Sequence, residues 1–142
     1  MMNKIFILFF ILFFSFSCIK KTNKESLIYD GDKGFKYWLI DNDRTSDSGS
    51  HFFTYFDKNG KWLGFYINAK GEFVENKSPE DVISVNTWSL SNDSTIILGW
   101  YPNIIVKISK DTMITYNDRL KETTVYITSP DSLIPKEYQR IQ

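Results

Sequence analysis

From Gly34 onward the chain is built of short segments rich in Phe, Tyr, Trp, Ile, Val and Thr, separated by clusters of Asn, Asp, Gly and Ser. Segments of that length and composition, bounded by turn residues, predict successive antiparallel strands. They are expected near 34–41, 50–57, 61–68, 71–75, 84–91, 94–98, 103–109, 112–117 and 122–128. The firmest joint is Asp57-Lys58-Asn59-Gly60, where Asn-Gly supplies positive φ for a tight hairpin. Ser91-Asn92-Asp93 and Lys110-Asp111 are further turns by composition. Residues 78–82 (SPEDV) fit one helical turn, with Ser78 as cap and Pro79 at the first position. No long amphipathic helix, internal repeat or second domain is visible after the first residues.

The phase of alternation assigns faces. Trp88 and Leu90 share a side, as do Ile104, Val106 and Ile108, and again Val125 and Ile127, while Thr87, Ser89, Lys107, Thr124 and Thr128 face the other way. The later strands are therefore expected to have one wet face, with Trp88, Ile104, Val106, Ile108, Val125 and Ile127 lining a continuous interior. Segments 50–57 and 61–68 differ. His51, Phe53 and Tyr55 lie on one side and Phe52, Thr54 and Phe56 on the other; Trp62 and Tyr66 oppose Leu63, Phe65 and Ile67. Both faces are apolar or aromatic, so this hairpin is either covered twice or presents aromatic surface to a ligand or partner.

The beginning of the chain has a different pattern. Lys4 precedes an uninterrupted apolar run from Ile5 to Phe14; Ser15, Phe16, Ser17 and Cys18 follow, then Lys20, Lys21 and Lys24. A positive start, a short apolar run and small residues before a junction predict a secretory signal peptide. As a helix the apolar stretch to Phe16 reaches about 18 Å at ~1.5 Å per residue, short of a ~30 Å hydrocarbon core. The run resembles the signal of bacterial lipoproteins, in which a cysteine after a small residue is acylated and becomes the new N-terminus. That resemblance implies lipidation at Cys18 and anchoring in the cell envelope. As no acidic cluster follows Cys18, it implies the periplasmic side of the outer membrane. The expected division is a signal peptide over 1–17, a lipidated flexible tether over 18–33, a β-domain over 34–130 and a C-terminal tail over 131–142.

Charge and cysteine count narrow the chemistry. Lys and Arg number 17, against 17 Asp and Glu, and a near-neutral domain offers no electrostatic case for nucleic acid. Cys18 is the single cysteine, so its acylation leaves no thiol for a disulfide or a thiolate metal site. His51 is the single histidine; any imidazole triad would need it, and it sits in an aromatic strand with no GxSxG elbow elsewhere. Asp41, Asp43 and Asp47 alternate as calcium ligands do, but Ser46 and Phe52 stand where such a loop needs glycine and glutamate. Glu72, Glu75, Glu80 and Asp81 read as solvated carboxylates. No metal, no cofactor and no catalytic residue is expected.

Three stretches carry a family resemblance: "TYFDKNGKW", "NTWSLSNDSTIIL" and "IIVKISKDTMITYNDRLKETTVYI". Together they resemble small lipocalin-like lipoproteins of Gram-negative bacteria, over roughly residues 50 to 128. The resemblance implies an all-β fold: a single antiparallel up-and-down β-barrel of about eight strands whose interior holds one small ligand. Strands rich in tryptophan and tyrosine also imply that much of that interior is packed, leaving a shallow pocket at one mouth.

The aromatic set is the one feature above background. Trp100 and Tyr101 fall in a predicted loop at 99–103, where Pro102 is expected to break pairing; exposed loop aromatics bury large area at low entropic cost on binding. The expected ligand-binding residues are Tyr55, Trp62, Trp88, Trp100 and Tyr101. The function expected is non-enzymatic binding of a small apolar or amphipathic molecule by a membrane-anchored lipoprotein. The alternative is a protein-binding module, of inhibitor or immunity type, that uses Trp100 and Tyr101.

Overall fold

The computed structural model describes residues 23–41, 51–77 and 85–140. Cys18, the expected signal peptide, Asp43, Asp47, Glu80, Asp81 and the expected turn at 78–82 lie outside the described residues. Nine strands form one antiparallel sheet: β1 (Phe35–Ile40), β2 (Phe52–Asp57), β3 (Trp62–Ile67), β4 (Phe73–Glu75), β5 (Trp88–Asn92), β6 (Thr95–Leu98), β7 (Tyr101–Ile108), β8 (Thr112–Asn117) and β9 (Glu122–Thr128). Neighbours run β4-β3-β2-β1-β9-β8-β7-β6-β5. Two meanders thus meet where β1 pairs β9, with Leu39 opposite Ile127.

The sheet curls into a half-barrel, which corrects the expected closed barrel of about eight strands. The registers give the reason. β4 pairs β3 over Phe65, Tyr66 and Ile67, whereas the β5 end reaches β3 at its other extremity, through the single bridge Lys61↔Thr87. The two edge strands are offset along β3 and share no ladder. At that corner Trp62 N donates to Asn86 O (3.0 Å) and Trp88 N to Gly60 O (2.8 Å). The Asp57–Lys61 turn is shaped for this contact. Only Gly60 takes positive φ (+82°), and Asp57 Oδ1 accepts from Asn59 N and Lys61 N at 2.9 Å each. A Cβ on Gly60 would come within 3.1 Å of Trp88 O.

The trough of the half-barrel is filled. Trp38, Phe56, Trp88, Ile96, Leu98, Ile105, Met113 and Tyr126 form its core together with Ile28. Ile28 belongs to α1 (Lys24–Tyr29), a short helix capped by Asn23, whose Oδ1 accepts from Glu25 N. Trp38 Nε1 donates to Ile28 O at 2.8 Å across the buried contact, and Tyr29 lies 6.0 Å from the Trp88 ring. Within the tether expected over 18–33, Lys24–Tyr29 is therefore corrected to a helix that places Ile28 in the core. Six helical residues are too few to show a helical period in the sequence.

The face assigned to β7 is also corrected. Ile105 is 8% exposed and points inward, while Ile104 (46%) and Val106 (63%) face solvent. Ile104, Ile105 and Val106 are all apolar, so alternation carried no phase, and a bulge between Ile105 and Lys107 shifts the register so that Ile108 again packs on the core. In β9 the inward residue is Tyr126, opposite Met113, in place of Val125 and Ile127.

A second core covers the other face of β1–β4. Tyr37, Phe53, Tyr55, Leu63 and Phe65 pack with Ile134, which lies between two 3-10 turns, Asp131–Leu133 and Lys136–Tyr138. Tyr138 packs on Phe65 and Phe73 at centroid distances of 5.6 and 5.2 Å. The aromatic hairpin is covered on both sides, and the expected tail from 131 is its outer cover as far as the described residues go.

Candidate functional site

One mouth of the half-barrel holds a cavity of about 410 Å³ lined by Trp62, Leu98, Tyr101, Asn103, Asn117, Arg119 and Leu120. Three separate parts of the chain build it. Trp62 comes from the corner clasp at the start of β3. Leu98 and Tyr101 flank Gly99-Trp100, the residues that turn β6 into β7. Gly99 takes φ +59°, as a hairpin with glycine at its first central position requires, and a Cβ there would meet Val85 O at 2.9 Å. Asn117, Arg119 and Leu120 come from the end of β8 and the turn into β9.

Pro102 does not break the pairing, contrary to expectation; it stands in β7 opposite Ile97. Leu98 and Tyr101 close the hairpin, so the next position along has its amide turned away from β6, toward a side that β8 does not reach. Tyr101, Asn103 and Ile105 consequently share the inward phase.

The polar groups of the cavity hold one another. Asn117 Nδ2 donates to Asn103 Oδ1 (3.0 Å), Asn103 Nδ2 to Tyr101 O (3.0 Å), and Leu120 N to Asn117 Oδ1 (3.0 Å). The Arg119 guanidinium lies over the Tyr101 ring, 5.4 Å from its centroid. Trp62 Nε1 is buried and has no hydrogen-bond partner among the described residues.

The expected ligand-binding residues are thus split by the fold. Trp62 and Tyr101 line the mouth cavity. Trp100, 72% exposed, stands in the adjacent turn and points away from the core. Trp88 is buried in the trough, and Tyr55 is fully buried in the second core on the other face. Asn103, Asn117, Arg119 and Leu120 were not anticipated. The first follows from the corrected phase of β7; the other three follow from the pairing of β7 with β8, which sequence spacing does not give.

At the opposite end Lys36 lies between cavities of about 390 and 330 Å³ that share Asp30 and Thr128 with it. Its Nζ sits 3.6 Å above the Trp38 ring and donates to Lys110 O. Burial brings its pKa down to about 8, against the opposing pull of Asp30 and Asp111. His51 is exposed just before β2. Glu72 accepts from Asn68 Nδ2 at 2.7 Å. Among the described residues no three His, Cys, Asp or Glu side chains cluster as metal ligands would, and no helix is long and apolar enough to cross a membrane.

Comparison with known proteins finds no matching family model, no similar curated protein and no similar solved structure.

Proposed function

We propose that the protein is a binding lipoprotein: anchored through an acylated Cys18 on the periplasmic side of the outer membrane, it takes up a small amphipathic molecule without transforming it. The observation that carries the binding reading is the mouth cavity. Its volume of about 410 Å³ lies within the ~300–1,000 Å³ of small-molecule sites, and it pairs aromatic and aliphatic walls with a few polar groups, as such sites do. The filled trough favours the mouth over the interior as the place of binding. Saturable, one-to-one binding of the neutral fluorophore N-phenyl-1-naphthylamine to the full chain is expected, and Tyr101→Ala should abolish it. Unchanged binding in Tyr101→Ala would remove the cavity from the account. For the anchor, mass spectrometry of membrane fractions should find a mature N-terminus at Cys18 with added acyl mass, and Cys18→Ala should release or stall the chain.

A second reading, the protein-binding module, is favoured by one observation. Trp100 (72% exposed), Val106 (63%) and Leu120 (66%) are large apolar side chains in water on neighbouring elements. Trp100→Ala should then weaken capture of a protein partner while leaving fluorophore binding intact.

A further inference from the structure

Among the described residues the mouth cavity carries charge of one sign: Arg119 lines it, and no carboxylate does. Among the described residues Arg119 is in no ion pair; its neighbour Asp118 is taken by Lys121 at 2.8 Å. Stacking on Tyr101 keeps the guanidinium at the rim of the cavity, its donor fork unspent.

The amides point to the same ligand chemistry. Asn103 Oδ1 already accepts from Asn117 Nδ2, and Asn117 Oδ1 from Leu120 N. Each side-chain NH₂ has two hydrogens and spends one in the bonds described, so each amide keeps a donor for a ligand. Amide donors to spare and a cation outside any ion pair among the described residues favour a ligand with acceptors and negative charge. Formal net charge over the whole chain is zero, so no global field supplies that selection and the discrimination must be local.

We propose that the mouth cavity is built for an aromatic monocarboxylate, its ring system against Trp62 and Tyr101 and its carboxylate paired with Arg119. This assignment rests on the ligand-binding reading above and adds the ligand's charge and class to it. Arginine suits the task because its planar fork engages both carboxylate oxygens while its face stays on the tyrosine ring.

Three probes with one body and three charges test it by calorimetry: 2-naphthoate, 2-naphthylmethanol and 2-naphthylmethylamine, titrated into the full mature chain in detergent. The same titrations into protein-free micelles of that detergent are the reference for partitioning. The expected order is naphthoate about tenfold or more tighter than the alcohol, with the amine weakest. Arg119→Gln should bring naphthoate down to the alcohol's affinity without changing the alcohol, and Arg119→Lys should restore part of the gap. Equal binding of naphthoate and alcohol, or a gap that survives Arg119→Gln, overturns the carboxylate assignment and leaves the cavity as a binding site. If none of the three binds, the ligand-binding reading falls as well.

Discussion

The indole N–H of Trp88 donates to the main-chain carbonyl of Asp57 across 2.9 Å, tying the first residue of β5 to the β2–β3 turn. With Trp88 N on Gly60 O and the Trp88 ring edge-on to Phe56 at 5.8 Å, this one residue both fills the trough and holds the open sheet together at its only corner bridge among the described residues. The sheet stays curled because a turn docks on a strand end, with no closing ladder.

Truncating that residue should therefore be severe. Trp88→Ala is expected to cost about 3–5 kcal/mol as a core deletion. Trp88→Phe keeps most of the packing and removes one of two donors to the Asp57 carbonyl, which retains Gly60 N at 3.2 Å, at about 0.5–1.5 kcal/mol. Chemical denaturation of both variants checks the two magnitudes. A Phe variant as stable as the parent would mean that the hydrogen bond contributes nothing to the clasp.

The phase of β7 gives a paired test. Ile105→Ala should cost about 2–5 kcal/mol, because Ile105 packs in the trough, whereas Ile104→Ala on the outer face should stay within about 1 kcal/mol. The reverse ranking in denaturant titrations would turn the strand over.

Much of the fold was readable because strands separated by Asn, Asp and Gly clusters leave a clear texture; the two meanders fall close to the predicted segments. What failed has local causes. Ile104-Ile105-Val106 is apolar at every position, and the bulge behind it breaks the two-residue period, so the face was assigned one residue out of step. Ile28 and Ile134 anchor short segments, a single helical turn and two 3-10 turns, whose polar neighbours read as tether and tail. Of the site, Trp62 and Tyr101 stood out as aromatics. Arg119 did not, since its meaning depends on a turn being folded over Tyr101 and on Asp118 being engaged by Lys121.

Lys36 makes stability depend on pH in a defined window. In the unfolded chain its amine holds a proton up to the ordinary value of 10.5, while in the fold burial lowers that to about 8. Between these values the unfolded state binds more protons, so stability rises with pH from about 8 upward. Burial raises the phenol pKa of Tyr37 and of Tyr126; above about pH 10 the unfolded chain loses those protons first and stability falls again. Unfolding free energy followed from pH 7.5 to 9.5 should climb in the parent relative to Lys36→Met, which lacks the group. Parallel curves would show that the Lys36 amine titrates alike in both states.

The account turns on binding at the mouth and not in the trough, and the indole N–H resonances of the four tryptophans report on both places. Trp62 lines the cavity; Trp38 and Trp88 are buried in the trough with their N–H groups bonded to Ile28 O and Asp57 O; Trp100 stands in solvent. Titrating 2-naphthoate into the ¹⁵N-labelled full chain should shift the Trp62 resonance to saturation and leave Trp38 and Trp88 in place. Movement of Trp38 and Trp88 with Trp62 unmoved would contradict the account.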